Sequence, residues 1–210
     1  MSFSEIFNPE TLIQYGGLTV LLLIIFAETG VFFGFFLPGD SLLFAAGLLS
    51  ESPYLDIPVT ILILLLIAAA FLGTTLGYGV GRWAKNYLEN RPDNFFYRKK
   101  YIELTESFYQ KHGMMAFVLG RFLPIVRTFV PILAGMTHIN FKKFLFYNLL
   151  GASIWVVTMV MAGHLLGNAF PGLIEYLEYI VFAMILITAI PLIVSFIRSN
   201  RGPGNLTDKV

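Results

Sequence analysis

Cysteine is absent from the 210-residue chain. That excludes disulfides, thiolate metal sites and a cysteine nucleophile, and it leaves the redox compartment open. Charge is scarce as well: Asp, Glu, Lys and Arg make up 13% of the residues, against about 25% in a soluble domain. No Lys or Arg precedes Arg82, so the first apolar run lacks the basic n-region of a cleavable signal peptide and is expected to be retained. Histidine occurs only as His112, His138 and His164. These lie too far apart for metal-ligand spacing, so structural or interfacial roles are expected for all three, with no metal or other cofactor. A formal net charge of +1 identifies no partner, and no nucleic-acid binding is expected.

What fills the chain instead is apolar. Hydrophobic residues make up 57% and aromatics 16%, with a mean hydropathy of +0.75, so most of the surface must face something other than water. The length suits one compact membrane bundle, an all-α fold. A helix needs about 20 apolar residues to cross the hydrocarbon core. Three stretches meet that length cleanly and are expected spans: 59–81, 144–166 and 177–197.

Two further apolar stretches are each interrupted by Phe-Leu-Pro and carry charges that hydrocarbon should not tolerate. The first runs over 18–49, with Glu28, then Phe36-Leu37-Pro38-Gly39-Asp40, and closes on Ala46-Gly47. The second runs over 114–136, with Gly120-Arg121-Phe122-Leu123-Pro124, then Arg127, Pro131 and Ala134-Gly135. Non-helical backbone survives at membrane depth only when buried in protein or lining a wet cavity. Both stretches are therefore expected to be re-entrant helical hairpins, with Pro38, Gly39, Pro124 and Pro131 at their turns. A full span ending at Pro38 is the competing reading of the first.

Charge placement sets an orientation. Arg82, Lys85, Arg91, Arg98, Lys99, Lys100 and Lys111 crowd the central linker, Lys142 and Lys143 precede a span, and Arg198 and Arg201 follow the last. The 51–58 and 168–176 loops carry acids only. By the positive-inside rule the linker and the tail, 198–210, are cytoplasmic, and the two hairpins enter from opposite faces. Tyr97, Tyr101, Leu104 and Phe108 share one helical face within 93–112, an amphipathic segment suited to a membrane surface or to the cytoplasmic end of the bundle. Each broken stretch is followed by a glycine-bearing span, a similarity of plan that reads as an inverted repeat with its site at the repeat interface. Gly73, Gly77 and Gly81, at four-residue spacing, read as a close helix-packing face.

Ionisable groups inside membrane segments cost several kcal/mol, roughly 3 for insertion at a helix centre, and usually mark a pathway. Glu28 and Asp40 are the expected proton-coupling groups. Burial and a nearby guanidinium act oppositely on a carboxyl, so a Glu facing a movable Arg can change protonation during a cycle. The structural alternatives are a neutral Glu28 bonded to Thr29 or a backbone carbonyl, and Asp40 as an N-cap for a helix starting at Ser41. Arg121 and Arg127 keep their protons and need an anionic partner; their forks suit phosphate or carboxylate. Permanent pairing with Glu28 and Asp40 is the alternative. Trp83 and Trp155 fit interfacial belts or bundle packing.

These residues resemble the motifs of the DedA family, also called SNARE-associated or VTT-domain proteins. Phe26, Glu28, Pro38, Gly39, Asp40, Ala46 and Gly47 match the first motif. Gly120, Arg121, Phe122, Pro124, Arg127, Pro131, Ala134 and Gly135 match the second, and Phe144, Asn148, Gly151 and Trp155 the third. Asp40 stands where many relatives have Glu. The resemblance covers roughly residues 15 to 195 and implies opposed re-entrant helices and lipid transport in the bacterial inner membrane. It also implies undecaprenyl phosphate or phosphatidylethanolamine as cargo, with dependence on the proton gradient. The expected protein is a multi-pass lipid transporter, not an enzyme, whose partners are protons and a lipid with an anionic phosphate head group. A lipid-phosphate phosphatase would need a nucleophile or base beside the phosphate, and no histidine adjoins either Arg motif in sequence. An exporter of cationic compounds would leave the arginines unexplained.

Overall fold

The computed structural model describes residues 9–31, 37–52, 55–88, 111–136, 139–177, 179–184 and 186. Among them the fold is all helical, apart from isolated bridges of Ser50 and Ser52 to Leu55. Six α-helices follow in chain order: α1 Pro9–Gly30, α2 Gly39–Leu49, α3 Val59–Leu88, α4 Ala116–Leu119, α5 Pro124–Met136 and α6 Phe141–Ala169. Short 3-10 turns flank α4 at Gly113–Met115 and Gly120–Phe122, and another follows α6 at Pro171–Tyr176. The amphipathic segment 93–112 and the span 177–197 fall largely outside the described residues.

Among the described residues two helices are long and apolar enough to cross a membrane, Val59–Trp83 and Phe141–Ala169. Both are apolar on the outside as well as the inside. In α3, Leu62, Leu66, Ala70, Thr74 and Tyr78 are buried at four-residue intervals, while Ile61, Leu64, Leu72, Leu76 and Val80 are exposed. A helix in water would present polar residues there; an apolar outer face suits lipid. α6 repeats the plan, with Phe144, Asn148, Trp155 and Val160 inward and Phe146, Leu150, Val157 and Leu165 outward. Its start is fixed by Asn140, whose side chain accepts from the Lys142 and Lys143 amides, a standard N-cap.

The remaining helices are short. α1 bends at Gly17, whose φ of 54° only glycine adopts without strain, leaving Gly17–Gly30 as its apolar part. α2 is almost wholly buried. Its N-cap is Pro38, and no side chain caps it, so Asp40 is not the N-cap expected from the sequence. Pro124 opens α5, where its missing donor is harmless. Pro131 lies inside α5 rather than at a turn; it cannot donate to the Arg127 carbonyl, and the helix continues past it.

Contacts fix the relative directions. Tyr78 stacks on Phe144 with centroids 4.5 Å apart and Thr75 accepts from Asn148, so α3 and α6 run antiparallel. Asp40 meets Trp155 and Ser50 meets His164, so α2 runs parallel to α6. Glycines bring the backbones together. A Cβ on Gly30 would sit 2.7 Å from the Gly73 carbonyl, and one on Gly81 would overlap the Ile132 carbonyl. Gly73 thus seats α1 and Gly81 seats α5, the close packing face that their spacing predicts. Two apolar clusters result. One joins α1, α2, α3 and α6 around Ile25, Leu42, Leu66 and Trp155. The other gathers Tyr78, Phe117, Val126, Val130 and Phe144.

Candidate functional site

The four ionisable residues singled out by the sequence lie together, although they come from distant parts of the chain. Glu28 is near the end of α1, fully buried, and pairs through Oε1 with Arg127 Nη2. Asp40, in the first turn of α2, accepts from Arg127 Nη1 at 3.2 Å through Oδ1. The same oxygen accepts from Trp155 Nε1 at 2.8 Å. Arg127 thus holds one carboxylate with each terminal nitrogen. Thr29 does not serve Glu28: its hydroxyl donates to the Ile25 carbonyl at 2.9 Å. Gly39 is required by this arrangement, because a Cβ there would overlap the Glu28 carboxylate.

Arg121 is held differently. It is buried, yet its described hydrogen-bond partners are all neutral. Nη2 donates to Thr74 Oγ1 at 3.0 Å, to Asn148 Oδ1 at 2.5 Å and more weakly to the Asn148 carbonyl at 3.4 Å. The two arginines flank one aromatic ring, with Arg127 Cζ 5.0 Å and Arg121 Cζ 5.9 Å from the Trp155 centroid, within cation–π range. Burying four ions in an apolar bundle is tolerable only with such pairing. Among the described residues three buried polar atoms still have no hydrogen-bond partner: Glu28 Oε2, Arg121 Nη1 and Arg127 Nε.

Both arginines line a cavity of about 10 Å³, together with Thr74, Phe117, Pro131 and Asn148. That is room for about one water molecule, far below the several hundred Å³ of a ligand site. A head group can enter only if the cluster opens. Chemically, the site offers guanidinium groups at a small, largely apolar cavity and carboxylates that occupy one of those guanidiniums at rest. Among the described residues no group of three or more His, Cys, Asp or Glu is placed to hold a metal.

Three contributors went unassigned at the sequence level. Trp155 is buried within the bundle under the arginines, one of the two placements its sequence suited, though with no role assigned to it, whereas Trp83 is exposed. Asn148 carries Arg121, and Thr74 assists it. Asn148 had a readable signal, an amide in the middle of an apolar span. Thr74 had none, since threonines in such helices routinely bond back to the preceding turn, as Thr74 does to the Ala70 carbonyl at 2.8 Å. His164 stands apart from the cluster, hydrogen-bonded to Ser50 at 2.8 Å and Asn168 at 3.0 Å.

Comparison with known proteins identifies the family. Residues 37–165 match the VTT domain. Protein DedA of Escherichia coli K12 is 37% identical over 199 residues, covering 94% of this chain and 90% of that protein. An uncharacterized membrane protein of Mycobacterium tuberculosis H37Rv is 35% identical over 185 residues, covering 88% and 81%. The inner membrane protein YqjA of Escherichia coli K12 is 33% identical over 180 residues, covering 83% and 78%. No solved structure matches the chain. With this domain match and these relatives, the chain belongs to the DedA family of VTT-domain membrane proteins.

Proposed function

We propose that the protein is an inner-membrane transporter that moves a lipid phosphate, undecaprenyl phosphate or a related lipid, across the bilayer together with protons. The observation that carries this reading is the buried cluster itself: two guanidiniums facing one small cavity, one of them neutralised by two carboxylates. A rigid structural device would need neither the spare guanidinium nor the unpartnered donors.

Opposed re-entrant hairpins in an inverted repeat suit the contacts. Gly30 and Asp40 meet α3 and α6 near the middle of those helices, at Gly73 and Trp155, while Ser50 returns toward the α6 C-terminus. Arg121 likewise meets Thr74 and Asn148 at mid-helix, while Tyr78, further along α3, donates to Ile139 beyond α5. On this reading both breaks lie near the midplane, and the distribution of Lys and Arg supports a cytoplasmic C-terminus.

Charge balance explains the coupling. Glu28 and Asp40 carry two negative charges, Arg121 and Arg127 two positive, so the resting cluster is neutral. An arriving phosphate makes it negative, and in a low-dielectric interior that excess is costly. Protonating a carboxyl offsets part of that excess and loosens its hold on Arg127, which then joins Arg121 on the head group; deprotonation re-forms the internal pair and expels the lipid. The prenyl chain stays in hydrocarbon throughout. A phosphatase would have to use Glu28 or Asp40 as nucleophile or general base, and both are held by Arg127 in the resting cluster. The test is reconstitution in liposomes carrying undecaprenyl phosphate, scoring its exposure to an external phosphatase with and without an imposed pH gradient. Gradient-dependent exposure is expected. Release of phosphate by the protein alone would replace transport with hydrolysis, and gradient-independent exposure would leave an uncoupled scramblase.

A further inference from the structure

The two arginines of the cluster are not equivalent, and the difference is built by neutral residues. Asn148 Nδ2 donates to the Phe71 carbonyl and to Thr75 Oγ1, each at 3.2 Å. A backbone carbonyl only accepts, so the amide nitrogen must face α3 and the amide oxygen must face Arg121. Thr74 is fixed the same way: its proton goes to the Ala70 carbonyl, which leaves a lone pair for Arg121 Nη2 at 3.0 Å. Gly151 leaves room for the arginine stem, since a Cβ there would come 3.1 Å from Arg121 Cδ and Nε. Residues of α3 and α6 therefore hold a buried guanidinium in one place without bonding it to an anion.

We infer that Asn148 and Thr74 are positioning residues that hold Arg121, through neutral acceptors only, as the permanently available anion site, leaving Arg127 alone under the control of Glu28 and Asp40. Resting on the anionic-ligand reading above, this assigns the two arginines separate tasks. Arg121 receives the phosphate whatever the protonation state of the acids, its Nη1 already unpartnered at the cavity. Arg127 is added when a carboxylate lets go. Had either neutral acceptor been a carboxylate, Arg121 would rest in an internal ion pair and no guanidinium without a directly bonded anion would remain. The ligand chemistry is a phosphate monoester, whose source is a lipid head group rather than free phosphate because the cavity lies among apolar helices.

The full-length protein in detergent reports on this directly. Trp155 lies against both arginines, and the only other tryptophan, Trp83, is 82% exposed. In a Trp83→Phe background the remaining indole fluorescence reads the site, with farnesyl phosphate, inorganic phosphate and farnesol as probes. Farnesyl phosphate is expected to bind, inorganic phosphate more weakly and farnesol not at all. Asn148→Asp, nearly isosteric, is expected to weaken farnesyl phosphate binding at least about tenfold by pairing with Arg121. Asn148→Ala, which lets the guanidinium wander but keeps its charge, should lose less. Thr74→Val, which keeps volume and removes one acceptor, should weaken binding about threefold and serves if the Asp variant does not fold. A merely structural role predicts the opposite order, Asp milder than Ala, because Asp preserves shape and a bond to Arg121. That order, or unchanged binding in both Asn148→Asp and Thr74→Val, overturns the inference. Preference for inorganic phosphate overturns the lipid source alone, and a parent protein that binds neither phosphate overturns the anionic-ligand reading beneath it.

Discussion

Arg127 carries two anionic partners at rest and Arg121 none, so their substitutions should fail in different ways. Either Arg→Ala change is expected to abolish transport of lipid phosphate in the liposome assay, and Arg→Lys to impair it, since a point charge cannot replace the two-pronged fork. Normal transport with Lys at both positions would remove the phosphate-clamp role. Stability separates the two. Arg127→Gln strands two carboxylates in the core, a change that costs roughly 3–5 kcal/mol when a buried partner is removed, less whatever is recovered by protonation. Adding Glu28→Gln should recover thermal stability without recovering transport. At this scale the four charged residues were legible because each interrupts an apolar run where charge is costly. Their pairing was not. Nothing local tells Arg127 to take both acids, since Glu28 and Asp40 reach it from 99 and 87 residues away in sequence. Nor could the sequence show that Asp40 turns its oxygen to Trp155 instead of capping its own helix.

Helix packing makes its own prediction through glycine. Gly81 and Gly79 lie two residues apart on α3, but the first faces the Ile132 carbonyl and the second faces open space. Gly81→Val should destabilise the protein by roughly 1–3 kcal/mol, the usual cost of forcing atoms into a packed interface. Gly79→Ala should be neutral or gain about 0.5–1 kcal/mol from helix propensity. Thermal melting of the two variants side by side checks this, and equal melting points would mean that α5 does not rest on Gly81. The four-residue glycine spacing made this face readable. Pro131 was less so: the sequence marks it as a breaker, yet α5 runs through it. One missing N–H removes one hydrogen bond, and a buried helix packed against α3 near Gly77 tolerates that loss. The breaks at Pro38 and Leu123–Pro124 were readable because proline there stands at a helix start, where its restraint on the preceding residue has full effect.

The proposed pair of opposed hairpins would make the whole molecule a two-sided device, and that arrangement can be tested from outside and from within. Asp56 and Lys142 are exposed and lie at opposite ends of the antiparallel α3–α6 pair. Since the native chain has no cysteine, Asp56→Cys should react with an impermeant maleimide in intact cells and Lys142→Cys only after permeabilisation. Labelling of both from one side would remove the opposed-hairpin arrangement. If the topology holds, the direction of coupling follows from the charges. Protons and the anionic lipid bind the same cluster and stabilise each other there, so acidifying the side from which lipid is taken up should speed transport. Glu28→Gln mimics the protonated state: it should still bind lipid phosphate, because Arg127 is released from Glu28, but it should turn over slowly, because the Glu28 carboxylate cannot return to displace the head group and Asp40 acts alone. Its response to an imposed pH gradient should vanish with it. Asp40→Glu keeps the charge and should keep activity, with a changed pH optimum as the longer side chain alters its contact with Arg127 and Trp155. A Glu28→Gln protein that transports at the wild-type rate and still follows the gradient would make this carboxylate a structural counter-ion. The arginines would then guide head groups in either direction with no proton in the cycle.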